Sequence, residues 1–97
     1  MAAYIIADIA EITDPASFQD YAGKAGPTIP KYDGKPRFVR GKVEVLEGTW
    51  KPVNLVILEF PSVARAKEWY DSSEYHPLVA QRTKASKGGN VILVEGL

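Results

Sequence analysis

Arg40 and His76 are the side chains whose sequence surroundings best suit chemistry on a small molecule. Arg40 precedes Gly41 inside a predicted strand, and His76 is the only histidine of the chain. Glycine leaves room for a ligand beside the backbone, and a guanidinium can bind a carboxylate through two hydrogen bonds. His76 follows Tyr75 at a predicted break between helical segments, which makes it a candidate for proton transfer near neutral pH. Alternatively, Arg40 forms a surface or inter-subunit ion pair on an edge strand, and His76 is an exposed residue at a helix start.

Asp8 and Glu59 are a candidate acid and base pair. Each ends one of two predicted central strands, which we expect to run parallel, so the two carboxylates would lie side by side. Paired carboxylates can divide acid and base roles when their environments separate their pKa values. Each also comes shortly before a predicted helix, whose dipole would stabilise a nearby carboxylate by about 0.3–1 kcal/mol without any catalysis. The catalytic and the electrostatic interpretations both stay open.

Aromatic side chains could form an apolar pocket beside these groups. Tyr4 extends from the first predicted strand and could supply a phenol, and Trp50 begins a strand near a turn, which suits a rim position. Tyr75 lies next to the candidate base His76. Trp69, on a helix face, is predicted to be core. The candidate ligand-binding residues are therefore Arg40, Tyr4, Trp50 and Tyr75.

The predicted elements follow the order strand, helix, strand, strand, helix, strand. The first strand covers residues 4–10, and a helix then begins with Asp14 as its N-cap and Pro15 in its first turn. A hairpin of residues 37–46 and 50–60 follows, with Gly41 interpreted as a bulge. Ser62 caps a second helix, a further helical segment covers 74–84, and the last strand is 91–94. This order predicts an α+β, ferredoxin-like fold with a four-stranded, antiparallel-rich sheet, as one domain over residues 1–97.

Other positions carry more local predictions. The pair Gly26-Pro27 interrupts the face of the first helix, which predicts a kink or two helical pieces. Gly34 is predicted to end this region as a left-handed cap. Arg82 and Lys84, in the final helical segment, are interpreted as a solvated face.

The third and fourth predicted strands are apolar on both faces. In the third strand, Leu55 and Ile57 alternate with Leu58 and Phe60, and residues 91–94 repeat the pattern. A sheet with one solvated face should instead alternate apolar with polar residues. Two helices cannot cover both faces of one sheet. The pattern therefore predicts a homodimer whose sheets pack face to face.

Composition excludes several classes of function. Twelve basic and twelve acidic residues cancel, so no basic field favours nucleic acid. The chain has no cysteine, which excludes disulfides and thiolate catalysis, and a single histidine makes a metal site unexpected. No apolar run approaches the ~20 residues that span a bilayer, and the first residues do not resemble a signal peptide. We expect a cytoplasmic protein without cofactor, metal, membrane or nucleic-acid partner.

Longer stretches resemble the bacterial domain of unknown function 1330 family. They are Val39-Arg40-Gly41, residues 44–48, Trp50-Lys51-Pro52, residues 59–62, 66–72 and 74–75, the Tyr4 strand, Asp14-Pro15 and residues 94–96. The resemblance implies the dimeric α+β barrel superfamily, in which ferredoxin-like protomers pair through their sheets. That superfamily includes cofactor-independent monooxygenases, lactone isomerases, haem enzymes and ligand-sensing domains.

Function is less determined than fold, because fold alone does not assign an activity. The first hypothesis is a small-molecule-binding protein that acts as a cofactor-independent oxygenase or isomerase on a small hydrophobic acid. In it Arg40 anchors the carboxylate and His76, Asp8 or Glu59 moves the proton. The alternative is a non-catalytic ligand-binding or structural homodimer.

Overall fold

The computed structural model describes residues 1–96, which form six strands and three α-helices. In chain order these are β1 (Ala3–Asp8), β2 (Glu11–Ile12), α1 (Pro15–Ala25), β3 (Lys35–Val39), β4 (Leu55–Phe60), α2 (Val63–Tyr70), α3 (Leu78–Lys84), β5 (Ser86–Lys87) and β6 (Asn90–Glu95). The four long strands form one sheet in the order β3-β4-β1-β6, and the short strands β2 and β5 pair separately. This arrangement confirms the predicted α+β, ferredoxin-like fold.

The two central strands, β1 and β4, run antiparallel, so the prediction that they are parallel is wrong. β3 turns back into β4, and β1 is parallel to β3 with β4 between them. Tyr4 consequently lies opposite Glu59, whereas Asp8 lies opposite Leu55. Asp8 and Glu59 are therefore four strand positions apart, roughly 13 Å, and they do not form the predicted carboxylate pair.

The hairpin between β3 and β4 is shorter than predicted. Arg40 has a left-handed backbone (φ 52°), and its N–H donates to the Leu55 carbonyl at 2.7 Å, after which the chain leaves the sheet. Residues 41–54 form no regular strand. The irregularity in β3 falls between Pro36 and Phe38, not at Gly41.

The predicted helix caps are confirmed. The Asp14 carboxylate accepts a hydrogen bond from the Ser17 N–H at 3.1 Å, and the Ser62 hydroxyl accepts one from the Arg65 N–H at 3.1 Å. Each cap satisfies a backbone donor that the first helical turn leaves unpaired. Both helices therefore begin where the sequence indicates.

The chain after α1 breaks into two short 3₁₀ turns, Gly26–Thr28 and Pro30–Tyr32, which confirms the predicted interruption. The left-handed residue that follows is Asp33 (φ 65°), so the prediction for Gly34 is wrong. Gly34 instead permits close packing, because a Cβ there would lie 2.6 Å from side-chain atoms of Ile29 and Phe60.

The helices lie on one side of the sheet, where α2 packs against β1, β4 and β6, Phe18 of α1 packs near Ala7 of β1, and α3 packs against α1. From β1, Ile5 and Ala7 face the helices and are buried, whereas Ile6 and Asp8 face the opposite side. The main apolar core lies between the helices and this face, and the candidate site opens within it. Within residues 1–96, no helix has the length and apolar character needed to cross a bilayer.

Candidate functional site

A cavity of about 220 Å³ lies between the helices and the sheet. Its aromatic walls are Phe18, Tyr21, Trp69, Tyr70 and Tyr75. Its charged lining residues are Arg40 and Arg82, and no aspartate or glutamate of residues 1–96 lines it. The cavity is thus an apolar chamber whose formal charge is positive.

Tyr75 is held inside the chamber by the turn that precedes it. The Ser72 hydroxyl accepts from the Tyr75 N–H at 3.1 Å and donates to the Trp69 carbonyl at 2.7 Å, so the helix break at this serine directs Tyr75 inward. The Tyr75 ring stacks on Trp69 with ring centroids 3.9 Å apart, and it is only 2% exposed. The Trp69 indole N–H is satisfied by the Thr28 hydroxyl at 2.9 Å. These contacts fix one wall of the cavity.

Arg82 is buried, with 9% of its surface exposed, so its interpretation as part of a solvated face is wrong. Tyr75, Leu78, Val79 and Arg82 follow the spacing of one helical face, which turns the arginine toward the core. The neighbouring Gln81 ties α3 to α1, because its side-chain amide donates to the Ser17 carbonyl at 3.0 Å. Lys84 is exposed, as predicted.

The attachment of α3 to α1 also has an electrostatic consequence. The Gln81 amide donates to the Asp20 carboxylate at 2.9 Å. This hydrogen bond, followed by one from Lys24, lowers the pKa of the Asp20 carboxyl below its usual value. Asp20 thus stays ionised on the surface and remains an acceptor for the Gln81 amide of α3.

The Arg82 guanidinium has few partners for a buried cation. Its Nη1 donates to the Tyr75 hydroxyl at 2.9 Å, and within residues 1–96 no carboxylate lies in ion-pair distance of it. Burial lowers the pKa of Arg82, but the neighbouring Tyr75, Tyr21 and Tyr70 together raise it by more, so the guanidinium stays charged. A buried cation is ordinarily paired with an anion.

The Tyr75 hydroxyl links Arg82 to a second tyrosine of the cavity lining. Its hydroxyl lies 2.8 Å from the Tyr21 hydroxyl. Burial, and secondarily Tyr21, raises the pKa of Tyr75 well above the value of an exposed tyrosine. Tyr75 is therefore a neutral hydrogen-bonding group at physiological pH.

Arg40 reaches the same cavity from the end of β3. Its guanidinium carbon lies 5.3 Å from the centre of the Phe18 ring, and its Nε donates to the Asn54 side-chain oxygen at 3.2 Å. The structure thus brings two of the predicted ligand-binding residues, Arg40 and Tyr75, to one chamber.

The remaining candidates for ligand binding lie elsewhere. Tyr4 alternates to the sheet face opposite the helices. Trp50 is 62% exposed, and its indole N–H donates to the Asp8 carboxylate at 2.8 Å. Neither Tyr4 nor Trp50 lines the cavity.

The three candidate proton-transfer residues also lie outside the cavity lining. Glu59 faces away from the helices and pairs with Arg37 at 2.8 Å. His76 is exposed, with its Nδ1 3.0 Å from the Tyr70 carbonyl oxygen. Asp8 lines a neighbouring polar cavity of about 290 Å³ that Arg82 also borders. Catalytic roles for these three residues stay predictions.

Sequence reasoning missed Arg82 and the polar role of Tyr21. For Arg82 a signal existed, since an arginine at i+7 from Tyr75, on the face that carries Leu78, occupies a core position of the helix. For Tyr21 the spacing indicated a buried face, but no pattern indicated that its hydroxyl meets Tyr75, which is 54 residues away.

Comparison with known proteins identifies a family and a fold. The model of the domain of unknown function (DUF1330) matches residues 2–97. No protein with curated annotation matches the chain. A protein of unknown function from Rhodopseudomonas palustris, RPA0582, superposes with a TM-score of 0.80 at 19% identity, covering 99% of this chain and 82% of that one.

Two further solved structures share the fold at lower identity. A dimeric ferredoxin-like protein of unknown function from Jannaschia sp. CCS1 has a TM-score of 0.69 at 9% identity, covering 99% of this chain and 100% of that one. A protein described as an antibiotic biosynthesis monooxygenase has a TM-score of 0.55 at 14% identity, covering 100% and 99%. At these identities the likeness is one of fold.

Proposed function

This chain belongs to the DUF1330 family, whose description names no activity, and we propose from its cavity that it binds a small hydrophobic organic acid. The carrying observation is Arg82, a buried cation without a carboxylate partner among residues 1–96, at the wall of an apolar chamber. A carboxylate ligand would supply the missing negative charge. Arg82 and Arg40 would be its cationic contacts.

The number of available donors supports this proposal. A guanidinium has five N–H donors in a fixed planar arrangement, and a carboxylate can accept two of them in parallel. In Arg82, Nη1 donates to Tyr75 at 2.9 Å, and the other side-chain partners that raise its pKa are the hydroxyls of Tyr21 and Tyr70, not carboxylates. The side chain therefore retains the donors that a carboxylate requires.

The cavity's size and walls support an apolar ligand body. A cavity of about 150 Å³ holds benzene. The cavity of about 220 Å³ suits a ligand of roughly ten non-hydrogen atoms. Since the walls are mainly aromatic and aliphatic, they would bind a ring or a short alkyl chain rather than a sugar or a nucleotide.

Calorimetric titration with benzoate, hexanoate and neutral benzyl alcohol tests the proposal. We expect both acids to bind and benzyl alcohol to bind more weakly. Arg82→Met should weaken benzoate binding by about tenfold to a hundredfold, the loss of a charge-assisted contact. The matched control is Arg65→Met, because Arg65 pairs with Asp33 and Glu68 outside the cavity. Equal benzoate affinity in wild type and Arg82→Met would overturn the proposal.

A catalytic role is the finer part of this proposal: oxygenation or isomerisation of the bound acid without a cofactor. It is supported by the shared fold with the protein described as an antibiotic biosynthesis monooxygenase. Once a bound acid is identified, oxygen uptake and product analysis by mass spectrometry test it. Saturable binding without turnover, at any pH between 5 and 9, would instead establish the alternative, a non-catalytic ligand-binding protein.

We also propose that the partner of this chain is a second copy. Phe38, Ile57, Ile6 and Ile92 lie opposite one another across the four strands, on the face without helices. The ferredoxin-like protein from Jannaschia is described as dimeric. Burial of this apolar row against its own symmetry copy would remove it from water.

A further inference from the structure

Three polar side-chain groups form a hydrogen-bonded row inside the cavity: the Arg82 guanidinium, the Tyr75 hydroxyl and the Tyr21 hydroxyl. The Arg82 Nη1 lies 2.9 Å from the Tyr75 oxygen, and the two tyrosine oxygens lie 2.8 Å apart. The Tyr21 and Tyr70 hydroxyls also lie near Arg82, and both contribute to the raised pKa of the guanidinium. One end of this hydrogen-bonded row is the Arg82 guanidinium, and the other end is the Tyr21 hydroxyl, whose residue lines the cavity.

The direction of these hydrogen bonds follows from the chemistry of the groups. Arginine can only donate, so the Tyr75 oxygen accepts from it. The two hydroxyls share one contact, which uses one of their two protons, and the other proton stays available. A hydroxyl that accepts from a cation becomes a stronger donor. This polarisation favours donation from Tyr75 to the Tyr21 oxygen, in agreement with the contribution of Tyr21 to the raised pKa of Tyr75, and the proton left available is then that of Tyr21.

An available donor in an apolar chamber, polarised by a cation, suits a negatively charged oxygen. Hydrogen bonds to charged acceptors are roughly twice as strong as neutral ones, and they strengthen further where water is excluded. The other titratable side chains that line the chamber are Tyr70, Tyr75, Arg40 and Arg82. None of them is an acid that would repel such an oxygen.

We propose that Tyr21 determines ligand specificity by binding an ionised phenol or enol oxygen of the ligand. This inference rests on the proposed function, in which the carboxylate of the same ligand contacts arginine. The ligand class is then narrowed from hydrophobic acids to hydroxyaryl acids and enolisable keto acids. Tyr75 is a positioning residue, because it acts on the ligand through Tyr21. Its raised pKa keeps it protonated and able to transmit the charge of Arg82.

The test uses 4-nitrophenol, whose ionisation in the cavity is read directly from its absorbance. We expect 4-nitrophenol bound to wild type to ionise at lower pH than in buffer, with an ionisation constant raised by about tenfold or more. Tyr21→Phe removes only the hydroxyl and should abolish most of this change. The matched control is Tyr32→Phe, because the Tyr32 hydroxyl contacts Glu74 outside the cavity and its loss should leave the change intact.

Benzoate binding, measured on the same proteins, separates this inference from the proposed function. Loss of the effect on 4-nitrophenol in Tyr21→Phe, while benzoate still binds through Arg82, would support the role of Tyr21. An equal ionisation constant in wild type and Tyr21→Phe, with benzoate still bound through Arg82, would overturn the role of Tyr21 alone. Failure of both probes to bind would overturn both proposals. Circular dichroism of each variant confirms that the fold is retained.

Discussion

The two faces of the four-stranded sheet carry similar apolar residues but are covered differently. On one face Ile5, Leu58 and Phe60 lie under the helices and are buried. On the other, Ile6 and Ile57 are only partly covered and Ile92 is 51% exposed. The first face encloses a chamber with a buried cation, and the second presents an apolar row without a helix. One sheet thus separates a face that carries a cavity from a face that exposes apolar residues.

The largest expected effect is on the helix-covered face. Leu58→Ala should lower the free energy of unfolding by about 2–5 kcal/mol, because Leu58 is 5% exposed and its loss enlarges the core void. Leu46→Ala is the matched control, since Leu46 is 87% exposed, and it should change stability by less than about 0.5 kcal/mol. Urea unfolding monitored by tryptophan fluorescence measures both. An equal loss of unfolding free energy in the two variants would contradict the assignment of this face as the core.

The second prediction concerns the face without helices. Ile92→Asp should change the free energy of unfolding of an isolated chain little. It should weaken self-association roughly a hundredfold, because it would place an unpaired charge in the proposed contact between two sheets, from which water is excluded. Sedimentation velocity over a range of protein concentrations measures the effect. The control is Lys67→Asp, an exposed charge change on α2. A wild-type protein that sediments as a monomer at all concentrations would contradict the proposed pairing.

The third prediction separates the buried polar cluster from the apolar core around it. In the unfolded chain Tyr75 loses its proton near pH 10, whereas in the folded chain burial raises its pKa. Above about pH 10 the unfolded state therefore binds fewer protons, and the stability of wild type falls as the pH rises. Tyr75→Phe should flatten this decline.

At neutral pH the same substitution should cost about 1–3 kcal/mol, because Arg82 loses its acceptor. Urea midpoints at several pH values between 7 and 11 measure both effects. Parallel curves for wild type and Tyr75→Phe would exclude Tyr75 as the source of the alkaline decline.

The smallest expected effect on stability is at the start of α2, at a residue that belongs to neither face of the sheet. Ser62→Ala removes the hydroxyl that accepts from the Arg65 N–H and should cost about 1 kcal/mol. Ser62→Asp, which can also accept this hydrogen bond, is the control and should retain most of the stability. Thermal unfolding measures both variants. A loss in the aspartate variant equal to that in the alanine variant would show that the cap does not stabilise the helix.

Helix starts and the order of elements could be predicted because their signals are local. Asp14 and Ser62 cap helices through donors three residues away, and Gly26-Pro27 interrupts α1 through its own backbone. The hairpin was predicted too long, because the apolar residues of 41–54 resemble a strand. The left-handed conformation of Arg40, which ends β3, leaves no signal in composition.

Local patterns in the sequence suffice to predict the caps, the element order, the resemblance to DUF1330 and the apolar character of both sheet faces. The contacts between polar groups depend on the folded arrangement, because they join residues far apart in the chain. That arrangement separated Asp8 from Glu59 through the antiparallel pairing of β1 with β4. It also brought Arg82 to Tyr75, and Tyr75 to Tyr21, by packing α3 against α1. A charged side chain interacts strongly with its neighbours where packing excludes water from it, and this packing depends on the whole fold.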